Sequence, residues 1–546
     1  MNAHPSPFPI RAPALALLCA VLAACDSSPR TSDAEQAYAS APASPGAERC
    51  KALTGVELGS ARVEQAEPIA RGEHLIGFFR RLVFRVMAPV PLPDLSVPAE
   101  FCRVRAKIRP VPGSELTAEV WLPNQWNEKF VGVGGGGFSG GLDAAFLLLW
   151  GPLGKGYAGM ATDVGHEATA SAKFAHESRQ QYVDYAYQGN HVAAEFAKTL
   201  IASYYGQPTT RSYFFGCSNG GRDALMEARR FPEDYDGIIA GAPAAGWSKL
   251  MTSFAWNAQA ARAAPKLEDK LGLVQTAVIA RCDALDGVKD QLLENPASCP
   301  FDVVELQCEN GEDTDCLNAG EVAALRKIYA GPTLRDGTQV YAGMPVGGEA
   351  LDDNWEDWIA SDDSTQAKFA TEAFRWMVYG DPKWEVDRFD IARDYPKARE
   401  SMGSLMDSDD PDLSAFTDRG GKLLLYHGWN DAAIPAGATI DFHAALRKTL
   451  GPVADAQVRL FMIPGMMHCG AGIGPNDYDL FGPLDSWVES GVAPERIVAT
   501  EYDPRAMFGP APGARVVRTR PLCPWPKVAH FDGTGSTDDA ASFSCR

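Results

Sequence analysis

The sequence predicts an α/β fold, a mostly parallel sheet with helices on both faces and one large insertion. Three observations lead there. Short apolar runs alternate with segments of helical spacing over residues 116–243 and again over 422–463, the alternation that parallel βαβ units produce. One apolar run, Ser212-Tyr213-Phe214-Phe215-Gly216, enters a Gly-x-Ser-x-Gly turn and continues with helical spacing. Between residues 245 and 416 the strand signals fade while acids and tryptophans accumulate, among them Trp247, Trp256, Trp355, Trp358, Trp376 and Trp384. That change of character reads as a domain inserted between two strands of the sheet.

Residues 116–122 alternate apolar and polar side chains and stop at Pro123, as a strand does. Lys129–Val133 is a second strand and runs into the glycine cluster 134–137, followed by Phe138-Ser139-Gly140-Gly141. A phosphate-binding loop would continue into Gly-Lys-Ser/Thr, which is missing. Residues 157–162 form a further strand, and residues 182–204 carry Ala186, Val192, Ala193, Phe196 and Leu200 at helical spacing. The next turn reads Gly216-Cys217-Ser218-Asn219-Gly220-Gly221-Arg222, with Leu225, Met226 and Arg229 continuing as a helix. Strand, sharp turn and helix in that order are the context of a nucleophile elbow, with glycines where backbones crowd. A glycine-rich turn ahead of any helix is the competing reading, and the motif alone does not separate the two. Residues 235–242 form a strand closed by Pro243, and residues 422–426 and Val458–Ile463 complete the pattern. Groups that do chemistry on such a sheet lie in loops beyond the carboxyl ends of its strands.

At 546 residues the chain exceeds one typical core, and 46% hydrophobic with 22% charged residues is a globular composition. Acidic residues outnumber basic ones 70 to 50, a net charge of −20. Such a surface repels polyphosphates and argues against a nucleic-acid partner. The division expected is a leader at 1–25, a flexible tether at 26–46, core at 47–244 and 417–546, and the insertion at 245–416. Arg11 precedes an apolar run over 12–24 that is too short to span a bilayer and suits a signal segment. Leu22-Ala23-Ala24-Cys25 resembles a bacterial lipobox, in which Cys25 becomes the lipidated first residue; ordinary signal cleavage nearby is the alternative. Membrane contact is expected only through that lipid. Of twelve cysteines, setting aside Cys19 and Cys25 leaves an even number. Behind an export signal this argues for five disulfides in an oxidising compartment: periplasm, cell envelope or exterior.

A serine is a poor nucleophile at neutral pH unless a base takes its proton and a carboxylate orients the base. After residues 422–426 come His427-Gly428-Trp429-Asn430-Asp431, and after Val458–Ile463 come Pro464-Gly465-Met466-Met467-His468-Cys469. Ser218, Asp431 and His468 therefore each follow a strand, in the chain order of α/β-hydrolases. The glycine cluster 134–137 matches the loop that supplies the first oxyanion N–H there. Each residue has a plainer reading. His468 as a metal ligand lacks His and carboxylate neighbours at ligand spacing, and Asp431 would equally cap a helix. His427 is a competing base, ranked below His468 because it precedes the acid. Cys217 adjoins Ser218 and Cys469 adjoins His468; if they pair, the bridge ties nucleophile loop to base loop.

Cys217-Ser218, Asp431 and His468-Cys469 together resemble the signature of the tannase and feruloyl esterase family, which also contains mono(2-hydroxyethyl) terephthalate hydrolase. The likeness runs from near Cys50 to Cys545, which implies an α/β-hydrolase core with a lid domain. It implies the pairings Cys50–Cys102, Cys217–Cys469, Cys282–Cys299, Cys308–Cys316 and Cys523–Cys545. It also bears on Asp283-Ala284-Leu285-Asp286-Gly287-Val288-Lys289-Asp290-Gln291-Leu292. Three carboxylates around a glycine turn can gather hard oxygen ligands for Ca²⁺, though the spacing is not that of an EF-hand and a solvated acidic turn is the plainer reading. The resemblance implies a structural Ca²⁺ held by the carboxylates of Asp283, Asp286 and Asp290 and the carbonyls of Val288 and Leu292. No organic cofactor is expected.

The expected activity is two-step hydrolysis of feruloyl, galloyl or related phenolic esters. His468, oriented by Asp431, takes the Ser218 proton, and the alkoxide attacks the ester carbonyl. The N–H of Asn219 and one from Gly135 or Gly136 stabilise the oxyanion. An acyl pocket is expected between core and insertion, where aromatics stack on the acid. Ile434 is placed at its mouth, with Arg375, Trp376, Tyr379 and Trp384 supplied by the insertion. The family's terephthalate enzymes carry an aromatic at the place of Ile434 and a lid arginine for the substrate carboxylate. Ile434 departs from that pattern, so half-ester hydrolysis is the alternative. A peptidase on this scaffold is disfavoured by the Cys-Ser and His-Cys pairing, and nothing in the sequence supports a non-catalytic glycan-binding surface protein. The partner expected is a small aromatic ester, met by a monomer.

Overall fold

The computed structural model describes residues 45–75, 96–142, 145–309, 314–504, 510–511 and 513–546. The leader, Cys25 and the tether up to residue 44 lie outside the described residues. Among those described, no helix is long and apolar enough to cross a membrane.

A ten-stranded sheet organises the chain. Its strands are β1 (Glu57–Leu58), β2 (Ala61–Ile69), β3 (Phe101–Ile108), β4 (Leu116–Pro123), β5 (Lys129–Val133), β6 (Ala158–Thr162), β7 (Arg211–Cys217), β8 (Gly237–Gly241), β9 (Lys422–Gly428) and β10 (Val458–Ile463). They lie in the order β1-β2-β3-β4-β6-β5-β7-β8-β9-β10. Neighbours from β6 to β10 run parallel, whereas β1 to β4 and the β4–β6 pair run antiparallel. The expected parallel sheet is present with an antiparallel meander added at one edge. Its β2 carries a register shift between Val63 and Gln65, which breaks the alternation that would have revealed it in the sequence. Two hairpins stand apart from the sheet: β11 (Ile497–Asp503) with β12 (Arg515–Leu522), and β13 (Ala529–Phe531) with β14 (Phe543–Cys545).

Successive residues of the central strands enter opposite cores. Phe130, Phe214, Ile238 and Leu423 pack on one face with α1 (Gly189–Tyr205) and α2 (Asn219–Arg230), while Val131, Tyr213, Ile239 and Leu424 pack on the other with Trp487. Both faces are buried, which is why these strands read as unbroken apolar runs. Helix α1 buries Ala193, Ala197, Leu200 and Tyr204 along one stripe and ends at Gly206 in the left-handed region. The helix expected over 182–204 is split, with a π-helical turn Asp184–Gln188 preceding α1.

Among the described residues, the segment between β8 and β9 adds helices and isolated bridges but no strand to the sheet. Its helices α3 (Trp247–Arg262) and α4 (Thr365–Glu372) pack with Phe138 from the glycine loop and Ile434 from the loop after β9. The insertion is thereby seated over the carboxyl ends of the strands. All five disulfides join the pairs that the family resemblance implies.

Candidate active site

β7 ends at Cys217 and α2 begins at Asn219, so Ser218 turns alone between them, with φ 65° and ψ −125°. Few non-glycine residues occupy that region, and at a nucleophile elbow it lifts the hydroxyl above the sheet. Several bonds hold it there: the Ser218 N–H donates to the Gly241 carbonyl (3.0 Å), and its own carbonyl accepts from Arg222 and Ala244 (3.1 and 3.0 Å). The surrounding backbones crowd. A Cβ at Gly216 would lie 2.1 Å from the Gly220 carbonyl oxygen, and one at Gly134 would lie 2.7 Å from the Gly220 Cα.

Beneath the turn is an ion pair that sequence reasoning missed. Arg222 is fully buried; it donates to the Asn219 Oδ1 (2.7 Å), to the carbonyls of Tyr185 and Ala186, and to the Asp223 Oδ1 (2.6 Å). The other Asp223 oxygen accepts the Gly135 N–H at 3.2 Å. Asn219, Arg222, Asp223 and Gly135 thus form one network joining the elbow helix to the glycine loop. Two adjacent opposite charges opening a helix carry no sequence sign that they are buried.

Asp431 lies in the turn after β9. Its Oδ1 accepts the N–H groups of Ala433 and Ile434 (2.8 and 2.9 Å), and its Oδ2 lies 2.8 Å from the His468 Nδ1. The same Oδ2 lies 3.1 Å from the His427 Nε2. That nitrogen also faces the Ile434 carbonyl at 3.0 Å, so with two acceptors before it Nε2 carries the proton, while Nδ1 meets the Thr439 hydroxyl. Burial alone would raise the Asp431 carboxyl, but the charges and hydrogen bonds of His468 and His427 outweigh it and hold the acid well below its ordinary range. His427, the competing base of the sequence reading, therefore sits behind the carboxylate as the one imidazole of β9, fully buried.

The Cys217–Cys469 bridge, with Cα atoms 5.9 Å apart, fastens the elbow to the loop of His468. Cys469 itself has a positive φ of 63°. Ser218, Asn219, His468 and residues 134–137 all line one cavity of about 1280 Å³. Trp358 stands edge-on to the His468 ring, 5.4 Å between centroids.

The lining differs from the sequence expectation. Ile434 is there, but Arg375, Trp376, Tyr379 and Trp384 are not among the lining residues. Arg375 is engaged by Glu372 and Glu385, Trp384 is buried against Phe374 at 4.8 Å, and the Tyr379 hydroxyl bonds Asp394. Trp376 stands against His176, 5.7 Å between rings. In their place the insertion contributes Trp247, Leu250, Met251 and Phe254 from α3, with Trp358 and Phe369. The α3 residues recur at i, i+3, i+4 and i+7, a stripe that was readable as one helix face. Among the described lining residues Lys155 is the one lysine or arginine, and its ammonium is paired with Asp479 at 2.6 Å.

In the acidic loop the Asp283 Oδ1 accepts the N–H groups of Asp290 and Gln291, and the Asp286 Oδ1 accepts that of Val288. Burial, followed by its like-charged neighbour Asp290, pushes Asp286 up to about 6, and burial with Asp286 pushes Glu294 up to about 8. Such shifts mark carboxylates short of positive charge, and the donor chemistry fits a hard cation. One feature opposes it: the Asp290 Oδ2 is already taken by the guanidinium groups of Arg518 and Arg520. The three aspartates also do not gather their oxygens within 4.8 Å of one another, so an ion would have to draw the loop closer.

A family model described as tannase and feruloyl esterase matches residues 102–546. An uncharacterized esterase of Xanthomonas campestris pv. campestris is 36% identical over 496 residues, covering 82% of this chain and 85% of that protein. Mono(2-hydroxyethyl) terephthalate hydrolase of Piscinibacter sakaiensis is 32% identical over 534 residues, covering 85% and 87%. The crystal structure of feruloyl esterase B from Aspergillus oryzae superposes with a TM-score of 0.80 at 25% identity, covering 92% of this chain and 100% of that one. This chain belongs to the tannase and feruloyl esterase family of carboxylic ester hydrolases.

Proposed function

We propose that the chain is an exported serine esterase that hydrolyses esters of uncharged aromatic acids through an acyl-enzyme. The observation that carries this reading is the Asp431–His468 bond of 2.8 Å beside a serine held at φ 65°, in one cavity walled by aromatics. His468 keeps Nδ1 on Asp431 and has Nε2 3.7 Å from the Cys469 Sγ; in the reaction that nitrogen takes the Ser218 proton as Oγ attacks the ester carbonyl. The Asn219 N–H opens α2 and so has no intrahelical acceptor. It supplies one oxyanion donor. Because the Gly135 N–H is engaged by Asp223, Gly136 is the better of the two glycines for the second. His468 then returns the proton to the leaving alcohol, and water, activated by the same imidazole, releases the acid.

The acyl moiety is assigned to the space walled by Phe254, Phe369, Trp358 and Ile434, which offers stacking faces and, among the described residues, no cation. A terephthalate half-ester would bring a carboxylate into that space without a partner, at a desolvation cost. This favours ferulate- or gallate-like acids. Ca²⁺, where bound, would be held by Asp283, Asp286 and Asp290 with the carbonyls of Val288 and Leu292, and would brace the insertion without taking part in the chemistry. Export is supported by the five disulfides, which persist in oxidising compartments. Lipidation of Cys25 rests on the lipobox alone.

The test is initial rates on methyl ferulate, methyl gallate, mono(2-hydroxyethyl) terephthalate and p-nitrophenyl acetate, with Ser218→Ala as control. The expected result is turnover of the aromatic methyl esters above the terephthalate half-ester, abolished in the variant. Equal background from wild type and variant on every ester would remove the esterase reading.

A further inference from the structure

Away from the cavity, the outer ends of α1 and α2 and the turn entering β8 bring together His191, Glu227 and Asp234. One ligand atom from each lies within 4.8 Å of the other two, which no other such group of His, Cys, Asp and Glu does among the described residues. The set is graded in burial: Glu227 is 1% exposed, while the side chains of His191 and Asp234 keep 23% and 12% of their surface. One side of the cluster therefore faces the interior and the other faces water.

Glu227 is the anomaly. Its Oε2 is buried and meets no hydrogen-bond donor, although it projects toward a second carboxylate. A buried carboxylate oxygen without a donor costs on the order of several kcal/mol unless a proton or a cation stands against it. The Lys198 ammonium acts on Glu227 only through its charge: its hydrogen bond goes to the main-chain carbonyl of Asp234, and it lies 3.8 Å from the Asp234 Oδ1. His191 is held for the role. Its ring stacks on Phe231 at 3.8 Å and 3°, its Nδ1 faces the Asp234 Oδ2 at 2.6 Å, and its Nε2 faces Glu195 at 3.6 Å. An imidazole with one nitrogen turned inward and a carboxylate behind the other is the arrangement that orients metal-bound histidines.

We propose that His191, Glu227 and Asp234 form a binding site for a divalent transition-metal ion of the zinc class, with water completing its coordination from the exposed side. One imidazole nitrogen and two carboxylate oxygens suit that class better than Ca²⁺, which prefers oxygen alone. Binding exchanges the short His191–Asp234 bond for two bonds to the ion and gives the Glu227 oxygen its missing partner. The site lies eight residues along α2 from Asn219, ~12 Å by the helical rise. It would pin the far end of the elbow helix to α1 and to the turn before β8, without contact with substrate.

The test uses the full mature protein after chelator treatment, titrated with ZnCl₂ by calorimetry in excess Ca²⁺ so that the acidic loop does not compete. Metal content after dialysis and the thermal midpoint are read in parallel. The expected result is one equivalent of Zn²⁺ bound with a raised midpoint. His191→Gln, at the partly exposed ligand, should weaken binding by at least the ~10- to 100-fold that loss of an outer partner costs, and Glu227→Gln should abolish the midpoint shift. Indistinguishable zinc binding by wild type and His191→Gln would overturn the proposal. So would a Glu227→Gln protein with an unchanged zinc response, or one whose metal-free midpoint rises to meet that of the wild type with zinc, since the amide mimics a protonated Glu227 and a shared proton would then explain the cluster. None of these readouts depends on ester turnover, so they stand apart from the esterase reading.

Discussion

His427 and His468 approach the same oxygen of Asp431, at 3.1 and 2.8 Å. One imidazole faces the cavity; the other is fully buried in β9 and bonded to Thr439. In the proposed mechanism His427 is a positioning residue, bonded to the carboxylate that orients the base. His427→Gln should lower kcat about tenfold, ~1.4 kcal/mol of transition-state stabilisation, with KM nearly unchanged. Without that imidazole the Asp431 carboxylate loses one of the two groups that hold it low and in place, so the loss should appear in kcat alone. A parallel rise in KM with a lowered thermal midpoint would mean a packing defect instead.

Cys217–Cys469 closes 252 residues of sequence, for which chain entropy allows at most ~5 kcal/mol. Cys217→Ser with Cys469→Ser should lower the thermal midpoint and also reduce kcat well below the unfolding range, because both bridged loops carry positive-φ residues that relax when released. Removing Cys523–Cys545, which belongs to the small core of the last hairpin, should lower the midpoint with kcat retained. Equal kcat in both double variants would deny the bridge a role in the site.

Phe254→Ala and Trp358→Ala should raise KM for methyl ferulate several-fold more than for p-nitrophenyl acetate, since only the aromatic acid needs the stacking faces. Arg375→Ala should leave both specificity constants in place, because that guanidinium is spent on Glu372 and Glu385 outside the cavity. Selective loss of terephthalate half-ester turnover in Arg375→Ala would restore the arginine to the acyl site.

Calcium should stabilise without activating. Dialysis against chelator should lower the thermal midpoint, re-addition of CaCl₂ should restore it, and Asp286→Asn should remove the difference while kcat at ambient temperature stays level. An identical midpoint with and without calcium would leave the loop to Arg518 and Arg520.

His443 supplies an acid-sensitive increment. Burial, then Arg447 and Arg459, hold this imidazole down at about 4 from an ordinary 6.5. The unfolded chain binds that proton first, so the stability is whole above pH 6.5 and is lost as pH falls toward 4, to the extent of about 2 to 3 kcal/mol. Urea unfolding at neutral pH and near pH 4.5 should show a smaller decline in His443→Leu than in wild type.

The sequence by itself determined the parallel strands, the elbow, the chain order of Ser218, Asp431 and His468, and the even set of ten cysteines. Each of these is written within a few residues: an apolar run buried on both faces, a glycine where an added Cβ would lie 2.1 Å from a neighbouring carbonyl oxygen, a motif after a strand end. Of the antiparallel edge β4 was legible, whereas the alternation of β2 was hidden by its bulge. Only the tertiary structure decided which aromatic side chains wall the cavity, that Arg222 and Asp223 are buried beneath the elbow, and that His427 backs the acid. Those facts depend on which face of α3 turns to the core and on contacts such as those joining Phe138, Phe254, Phe369 and Ile434. Residues so far apart in the chain meet through packing of whole elements, and a local pattern records only that a face is apolar, not what it will cover.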